Sequence, residues 1–389
     1  MNIFYIQYAG DLAGDYDRIF NKGGGENYFG QKYTAETMIA QADSGNNVYV
    51  FVYQCSDQLC EVRKNLYTAG LQNSKRSWFS ELKHQLATHK PDKVILRYPS
   101  WRILRLLRKN NIDTLPVFAD SFEHIQGLIT RLNHFLLSRE LCKPSISYIA
   151  NHQVSASRSL TKLGVKQANI LPYDWEHPHS PSDWKASIAD DIETKPINIF
   201  YAGLIAEEKG VFDLIKAVKK VDNLNREARL KLAGAGDVEQ GKSLCQKLGL
   251  EKRVKFLGKL SHKDVLQQMN AADVVVVPSR HEYSEGLPMT IMESLLVKTP
   301  LILSDHPIFV GRLKEKQYIS FFPEKDSQTL AESIVNICAT KQGYTEYCDQ
   351  YDTYWDDLIL ELKWADAVNY WLKDKKSPTL KKYSLVNIS

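Results

Sequence analysis

The stretch Asp273-Val274-Val275-Val276-Val277-Pro278-Ser279, followed by Glu285-Gly286-Leu287-Pro288, decides the fold of this chain. A run of four valines predicts a parallel strand that is buried on both faces and ends at the Pro-Ser pair. Pro288 suits the first turn of a helix. Apolar residues then recur at helical spacing, at Met289, Ile291, Met292, Leu295 and Leu296. Glu285 is therefore predicted in a loop beside a helix N-terminus, which favours anions, and Glu293 on the helix itself.

The two glutamates belong to a longer pattern. Glu285, seven residues and Glu293, with residues 300–303 as the next strand, resemble the Glu-x7-Glu element of family 4 retaining glycosyltransferases. The resemblance implies that Glu293 binds the ribose hydroxyls of a nucleotide and that Glu285, a catalytic candidate, lies near the transferred sugar. Ionised carboxylates accept paired hydrogen bonds from neighbouring hydroxyls, which suits both roles. The resemblance also assigns three neighbouring residues to donor binding, namely Gly286, Leu287 and Thr290.

Length and composition narrow the class of protein. A chain of 389 residues suggests two domains, and its 43% hydrophobic and 25% charged residues are ordinary for a globular protein. A net charge of +4 is too small to indicate a nucleic-acid partner. We find no long uncharged apolar run, and residues 1–8 predict a first strand and not a signal peptide. The scattered cysteines suit a reducing compartment, so we predict a cytoplasmic location.

Strands and helices alternate in the first half, which predicts a doubly wound, mostly parallel sheet. The predicted strands are 2–8, 47–53, 93–98, 115–119 and 145–149. The loop after the first strand ends in Gly23-Gly24-Gly25-Glu26-Asn27. Glycines let a backbone approach a phosphate or a sugar closely. Because the family carries a Gly-Gly loop facing the donor here, Gly24 and Gly25 are donor-binding candidates.

Polar side chains follow the fourth predicted strand, in Ala119-Asp120-Ser121-Phe122-Glu123-His124. Active sites of α/β proteins gather at the carboxyl ends of strands. The resemblance implies a His or an Asp close to the reacting sugar, so Asp120 and His124 are catalytic candidates. Glu123 is an alternative, and the sequence alone leaves open which of the three acts.

The polar residues 176–196 mark the best domain boundary. We place an N-terminal, acceptor-side Rossmann-like domain at residues 1–180 and a nucleotide-sugar-binding Rossmann-like domain at 195–350. The apolar and aromatic residues between 351 and 373 predict one amphipathic, core-packing helix. The resemblance implies that a C-terminal helix, at about 355–389, crosses back to the first domain.

A further donor-binding segment is Ala202-Gly203-Leu204-Ile205-Ala206-Glu207-Glu208-Lys209-Gly210, before a helix predicted at 211–221. It resembles the family's Gly-Arg-Leu-x-x-Glu-Lys-Gly segment, whose Arg and Lys hold the donor diphosphate. Gly203 and Lys209 match, but Leu204 stands where arginine is expected. Arg280 and Lys259 are the candidate replacements. The resemblance also places Gly258, in Val254-Lys255-Phe256-Leu257-Gly258-Lys259-Leu260, beside the nucleotide base.

These features predict an α/β protein of GT-B architecture, with two Rossmann-like doubly wound domains facing across a cleft. The expected function is retaining transfer of a sugar from a nucleoside-diphosphate donor, UDP or GDP, to a sugar or lipid-linked acceptor in glycan, polysaccharide or glycolipid synthesis. No Asp-x-Asp motif has a suitable setting, so we expect no metal site and no cofactor besides the donor itself. Lys209, backbone N–H groups and a helix dipole would carry the diphosphate charge. A nucleotide-sugar epimerase and a catalytically silent GT-B partner remain alternatives, the second because of Leu204.

Basic and aromatic residues cluster in Trp101-Arg102-Ile103-Leu104-Arg105-Leu106-Leu107-Arg108-Lys109 and in Lys75-Arg76-Ser77-Trp78-Phe79. The simpler interpretation is a helix that packs Ile103, Leu106 and Leu107 on the sheet and leaves its arginines in water. The alternative is a peripheral contact with the inner face of an anionic membrane, which would give access to a lipid-linked acceptor.

Overall fold

The structure is a computed structural model that describes residues 1–26, 30–72, 77–123 and 127–388. The chain divides into two compact units. The first contains Met1–Glu176 and Leu360–Ser389, and the second contains His177–Ile359. The polar stretch expected at the boundary thus begins the second unit, where Ile192 is fully buried in the core. Residues 177–180 and 355–359 also lie in the second unit and not in the first, where the sequence analysis placed them.

Strands and helices alternate along both units. The strands are β1 Asn2–Gln7, β2 Asn47–Val52, β3 Cys60–Arg63, β4 Leu66–Gly70, β5 Lys93–Arg97, β6 Asp113–Phe118, β7 Ile149–His152, β8 Ile170–Tyr173, β9 Ile197–Ala202, β10 Ala228–Ala233, β11 Val254–Gly258, β12 Val274–Val277, β13 Leu301–Ser304 and β14 Ser320–Phe322. The α-helices are α1 Leu12–Tyr16, α2 Gln31–Asp43, α3 Trp78–His89, α4 Trp101–Lys109, α5 Leu128–Leu141, α6 Val154–Ser159, α7 Val211–Val221, α8 Val238–Leu248, α9 His262–Asn270, α10 Met289–Leu296, α11 Pro307–Leu313, α12 Ser327–Ile337, α13 Lys341–Leu358, α14 Trp364–Lys373 and α15 Pro378–Lys382. Helical crossovers of this kind are what parallel strands require.

The first unit is built on a sheet in the order β3-β4-β2-β1-β5-β6-β7-β8. β3 is antiparallel to β4, and the other neighbouring strands are parallel. Alternate residues of β1 pack on opposite sides: Phe4 and Ile6 join one core cluster, and Ile3 and Tyr5 join another. The central strand is therefore buried on both faces, as in a doubly wound sheet.

The second unit is built on a parallel sheet in the order β11-β10-β9-β12-β13-β14. Numbered within the unit, this is the Rossmann order 3-2-1-4-5-6. Val274 and Val276 pack into one core cluster, and Val275 and Val277 pack into the other. The prediction that this valine run forms a strand buried on both faces is confirmed. The strand order reverses between β9 and β12.

Parts of the first sheet differ from the prediction. The strand predicted at 145–149 is wrong, because the residues that pair with β6 and β8 are Ile149–His152. Ile146 and Tyr148 are buried without belonging to a strand, which explains the misleading alternation. β3, β4 and β8 were not predicted. Cys60 and Glu61 of the edge strand are exposed, so β3 has little apolar pattern to detect.

The C-terminal segment forms two helices and not the single predicted one. Ile359 follows α13 in an extended conformation, with φ −65° and ψ 130°. The chain then pairs with Asp174, whose N–H donates to Leu362 O at 2.9 Å and whose carbonyl accepts from Trp364 N–H at 2.8 Å. The Asp174 carboxylate is fully buried and accepts a hydrogen bond from Leu360 N–H at 3.2 Å. Asp174 therefore holds the start of the returning segment, residues 360–364, against the first unit.

We expect Asp174→Ala to destabilise the protein by about 3–5 kcal/mol, because it leaves buried N–H groups and the nearby Lys363 without their anion. The loss should be local first, with faster hydrogen–deuterium exchange in residues 360–373 than elsewhere. Exposed Asp366 of α14 offers the matched control, Asp366→Ala. Equal exchange and equal stability for both variants would show that Asp174 does not anchor the segment.

Candidate active site

The loops after β9 and β12 begin at the point where the strand order of the second sheet reverses. Residues 203–210 lead from β9 into α7, and residues 278–288 lead from β12 into α10. In open α/β sheets, ligands bind outside the carboxyl ends of the strands at this point. The two loops hold five of the predicted site residues, which are Gly203, Lys209, Glu285, Gly286 and Leu287.

Lys209 and Glu285 form a buried ion pair between these loops. Lys209 Nζ lies 2.5 Å from Glu285 Oε1, and the two side chains are 14% and 7% exposed. Ser279 Oγ donates to the same carboxylate oxygen at 2.5 Å. The ring of Tyr283 has its centroid 4.2 Å from Lys209 Nζ, a cation–π distance. A ligand that carries both a negative charge and hydroxyl groups would find a cation and an acceptor side by side here.

Helix α10 carries Thr290 and Glu293 three residues apart, so both lie on one face. Thr290 Oγ1 donates to Ala202 O, at the end of β9, over 3.4 Å. Glu293 is 8% exposed, and its Oε1 lies 2.9 Å from His262 Nε2, at the start of α9. The helix begins at Met289 with Pro288 as its N-cap, one position later than expected.

Glycines let the strand ends of the second sheet pack closely. Gly203 has φ 154°, and a Cβ there would lie 2.9 Å from Tyr201 Oη. A Cβ on Gly234, after β10, would come within 1.8 Å of Gly203 O. Gly258, the last residue of β11, accepts a hydrogen bond from Gly234 N–H at 2.8 Å. The ends of β9, β10 and β11 are thus in backbone contact, and side chains are excluded between them.

The structure also shows which cations near Leu204 already form ion pairs. Leu204 is 44% exposed. Arg280, considered as its functional replacement, is buried, and its Nη2 lies 2.8 Å from Asp213 Oδ2 and also contacts Glu207. Lys259 is exposed and has no ion pair among the described residues. Arg280 is therefore held by carboxylates of its own unit, and Lys209 is likewise paired with Glu285. Of the described cations considered for this site, Lys259 is the one without an ion pair.

The catalytic candidates of the first unit have different environments. Asp120 follows β6, and burial raises the pKa of its carboxyl above the ordinary value. Its main-chain carbonyl accepts a hydrogen bond from Asn151 Nδ2 at 3.0 Å. Glu123 forms an ion pair with Lys162 at 3.0 Å. His124 lies outside the described residues.

Gly24 and Gly25 lie in an exposed loop that Arg18 stabilises. Gly24 N–H donates to Arg18 O at 2.8 Å, and Arg18 Nε donates to Gly25 O at 3.1 Å. Arg18 also pairs with Asp15 at 2.9 Å. The two glycines present a fixed, accessible backbone, and their role in donor binding stays a prediction.

Three side chains of this site were not predicted: His262, Ser279 and Tyr283. Ser279 lies in the stretch that opened the sequence analysis, and Tyr283 lies in the loop between its two parts. A sequence does not show that these side chains turn toward Glu285 and Lys209. His262 begins a helix 31 positions before Glu293. His262 follows β11, whose carboxyl end lies at the same edge of the parallel sheet as the carboxyl ends of β9 and β12. That placement is the cue that the sequence offers.

Residues 183–354 match the family described as glycosyl transferases group 1. The match covers nearly all of the second unit. The second unit belongs to this family. One relative is alpha-D-kanosaminyltransferase of Streptomyces kanamyceticus. It is 31% identical to this chain over 154 residues, which are 38% of this chain and 39% of the relative. The chain aligns with 43%, 39% and 31% of the length of three of the curated relatives that it matches.

Solved structures resemble this chain in fold beyond its second unit. Sucrose-phosphate synthase from Thermosynechococcus elongatus has a TM-score of 0.69 and 16% identity, covering 96% of this chain and 99% of its own. Anabaena Alr3699/HepE in complex with UDP and glucose has a TM-score of 0.66 and 14% identity, covering 97% and 100%. These neighbours show that the chain has the GT-B fold, as predicted.

Two further observations concern only the described residues. In that part of the chain, no three His, Cys, Asp or Glu side chains converge in a way that could hold a metal ion. Nor does it contain a helix long and apolar enough to cross a bilayer.

The raised pKa of Asp120 leads to a prediction about stability and pH. A raised folded-state pKa means that ionisation opposes folding, so the stability contributed by this group falls as pH rises from the unfolded pKa to the folded one. Asp120→Asn removes the charge. It should raise the free energy of unfolding near neutral pH by about 1.4 kcal/mol for each unit of pKa elevation, with no gain below about pH 4.

Urea denaturation at several pH values measures this effect. Glu123→Gln is the matched control, because its carboxylate is paired with Lys162 at the surface and should change stability little. A gain for Asp120→Asn that is the same at every pH, or a loss at neutral pH, would contradict the conclusion that burial raises the pKa of Asp120.

Proposed function

We propose that the protein is a glycosyltransferase that moves a sugar from a nucleoside-diphosphate donor to an acceptor hydroxyl with retention of configuration, in glycan, polysaccharide or glycolipid synthesis. The observation that carries the proposal is the buried Lys209–Glu285 ion pair. It lies where the strand order of the second sheet reverses, in the unit that matches glycosyl transferases group 1. A lysine suits a diphosphate, and a carboxylate beside it suits sugar hydroxyls. Both groups are paired and pre-positioned.

Glu293 is the proposed ligand of the ribose. His262 contacts its Oε1, so Oε2 is the atom left to accept hydrogen bonds from the two ribose hydroxyls. The position of Glu293 is fixed by its helix, since Ile291, Met292 and Leu295 around it are buried in the core. A carboxylate held this firmly loses little conformational entropy when the nucleotide binds.

Lys209 and the N-terminus of α10 are the proposed stabilisers of the leaving diphosphate. The first N–H groups of α10 have no partner within the helix, and the helix dipole favours an anion at this end. Such preorganised donors stabilise charge as it develops in the transition state, which supports a reaction without a metal ion. The acceptor hydroxyl would approach the face of the sugar from which the diphosphate leaves. A phosphate oxygen would then take its proton.

UDP-sugars are the first donors to test. The Anabaena neighbour is in complex with UDP and glucose, which supports a uridine nucleotide, and GDP-sugars are the second choice. A second candidate function is a nucleotide-binding GT-B subunit without transferase activity. Leu204, where the resembled segment has an arginine, favours this alternative. Donor binding without turnover across a panel of acceptors would support it.

The assigned roles predict different ligand dependences for two variants. Lys209→Gln removes a charge but retains a donor for Glu285, so it should weaken binding of the nucleoside diphosphate about ten- to hundredfold and leave the nucleoside unchanged. Glu293→Gln should weaken both ligands by a similar factor, because both carry the ribose. Isothermal calorimetry with UDP and uridine compares them.

Each variant is the control for the other, and melting temperatures exclude unfolding as the cause. Equal losses for UDP and uridine in Lys209→Gln would make the lysine structural. Unchanged affinity in Glu293→Gln would remove the ribose role.

Metal independence is tested by turnover. With a donor that the protein accepts, transfer should continue in excess chelator at the same rate, because Lys209 and the α10 N-terminus supply the positive charge. Loss of activity that Mg²⁺ or Mn²⁺ restores would contradict this part of the proposal. Conversion of the donor sugar without any acceptor would indicate an epimerase instead.

A further inference from the structure

Helix α5, Leu128–Leu141, is apolar on two faces. Leu137 and Leu141 pack into the core of the first unit. On the other side, four large apolar residues are 83%, 78%, 57% and 57% exposed, namely Leu128, Ile129, Leu132 and Phe135. Residues 128, 132 and 135 have helical spacing, so the four form one outward stripe. An exposed apolar patch of this kind marks an interaction surface, whereas single exposed apolar residues do not.

Arginines border the outward stripe. Arg131 and Arg139 are exposed on the same helix. The guanidinium carbon of Arg139 lies 5.8 Å from the ring centroid of Phe135, at cation–π distance. Long basic side chains of this type cover apolar surface with their stems and keep the charge at the edge. The stripe is therefore apolar at its centre and positive at its border.

Helix α4 extends the positive border. It is attached to α5 by Trp101 Nε1, which donates to Asn133 Oδ1 at 3.2 Å, and by an ion pair of Arg108 with Glu140 at 2.8 Å. Together α4 and α5 carry six cations and a single carboxylate, that of Glu140; the cations are Arg102, Arg105, Arg108, Lys109, Arg131 and Arg139. Six against one leaves +5, more than the net +4 of the whole chain.

We propose that the α4–α5 surface docks on an anionic lipid bilayer. The outward stripe would insert at the boundary between headgroups and acyl chains. The exposed cations of both helices, which are Arg102, Arg105, Lys109, Arg131 and Arg139, would face lipid phosphates. An apolar stripe flanked by arginines is the pattern of a helix that lies in a membrane interface. Each cation near an anionic surface adds to the attraction, and salt weakens it.

Charge favours a membrane over a second copy of the chain. A symmetric contact through the stripe would bring Arg131 and Arg139 against their own copies, and like charges that face each other oppose association. Anionic lipids supply the opposite charge along the whole border. The bilayer is therefore the occupant that satisfies both the apolar centre and the positive border.

The docking element differs from the one considered from the sequence alone. In α4 the apolar residues Ile103, Leu104 and Leu107 are buried, so that helix contributes charge and no inserted face. Lys75 and Arg76 lie outside the described residues. Docking does not depend on turnover. That it would bring the chain to a lipid-linked acceptor rests on the proposed transferase function.

Co-sedimentation of the full chain with liposomes tests the proposal. Phosphatidylglycerol-rich liposomes should retain more protein than pure phosphatidylcholine ones, and the difference should shrink between low and physiological (~0.15 M) salt. Leu128→Ser with Leu132→Ser should lower the affinity about tenfold or more. Arg131→Gln with Arg139→Gln should lower it by roughly fivefold for each charge removed.

Matched controls come from exposed residues elsewhere. Val386→Ser, at another exposed apolar side chain, and Lys247→Gln with Lys252→Gln, in the second unit, should bind as the unchanged protein does. All substituted side chains are exposed, so melting temperatures should stay the same. Equal retention by both kinds of liposome, or normal binding by the Leu128/Leu132 variant, would overturn the proposal. So would a dimer in solution that this variant dissociates. UDP binding serves as the separate readout for the proposed function.

Discussion

The ion pair between Lys209 and Glu285 is the constraint on which the candidate site depends. The two residues are 76 positions apart and follow two adjacent parallel strands, β9 and β12. A charge that is removed from water is tolerated only beside its partner, so the two loops must stay together. The hydrogen bond from Thr290 to Ala202 then holds the first turn of α10 at the end of β9. The ion pair and this hydrogen bond together fix the N-terminus of α10 relative to residues 203–210.

Parts of the fold could be predicted where local sequence and burial agree. The four valines of β12 are buried on both faces, so their apolar run is continuous, and α7 begins and ends as predicted. Elements fixed by distant partners could not be predicted. The break between α13 and α14 exists because Leu360 and Leu362 pair with Asp174, 186 and 188 positions earlier in the chain. The local pattern of residues 351–373 is helical throughout, and nothing in it shows that contact.

The candidate site shows the same division. Its residue types and loops were predicted from a motif, because Glu285, Lys209 and Glu293 occur at recognisable spacings. Their partners were not, since a spacing does not show that Glu285 receives both Lys209 and Ser279 or that Glu293 meets His262. Arg280 is the clearest case. The sequence shows Arg280 only as a cation close to the motif. In the structure its side chain is buried and paired with Asp213.

Leucine at position 204 changes how charge is balanced in the proposed reaction. Asp213 and Glu207 neutralise Arg280, and Glu285 neutralises Lys209, so the two buried cations of these loops bring little net charge. A diphosphate that attracts Lys209 must therefore compete with Glu285 for it. Glu285 would then need other hydrogen-bond donors, because an unpaired buried carboxylate is costly. The hydroxyls of the sugar are such donors, and a free nucleoside diphosphate has none at that position. Under the proposed function, the ion pair that holds the loops together would also favour the complete donor over the product nucleotide.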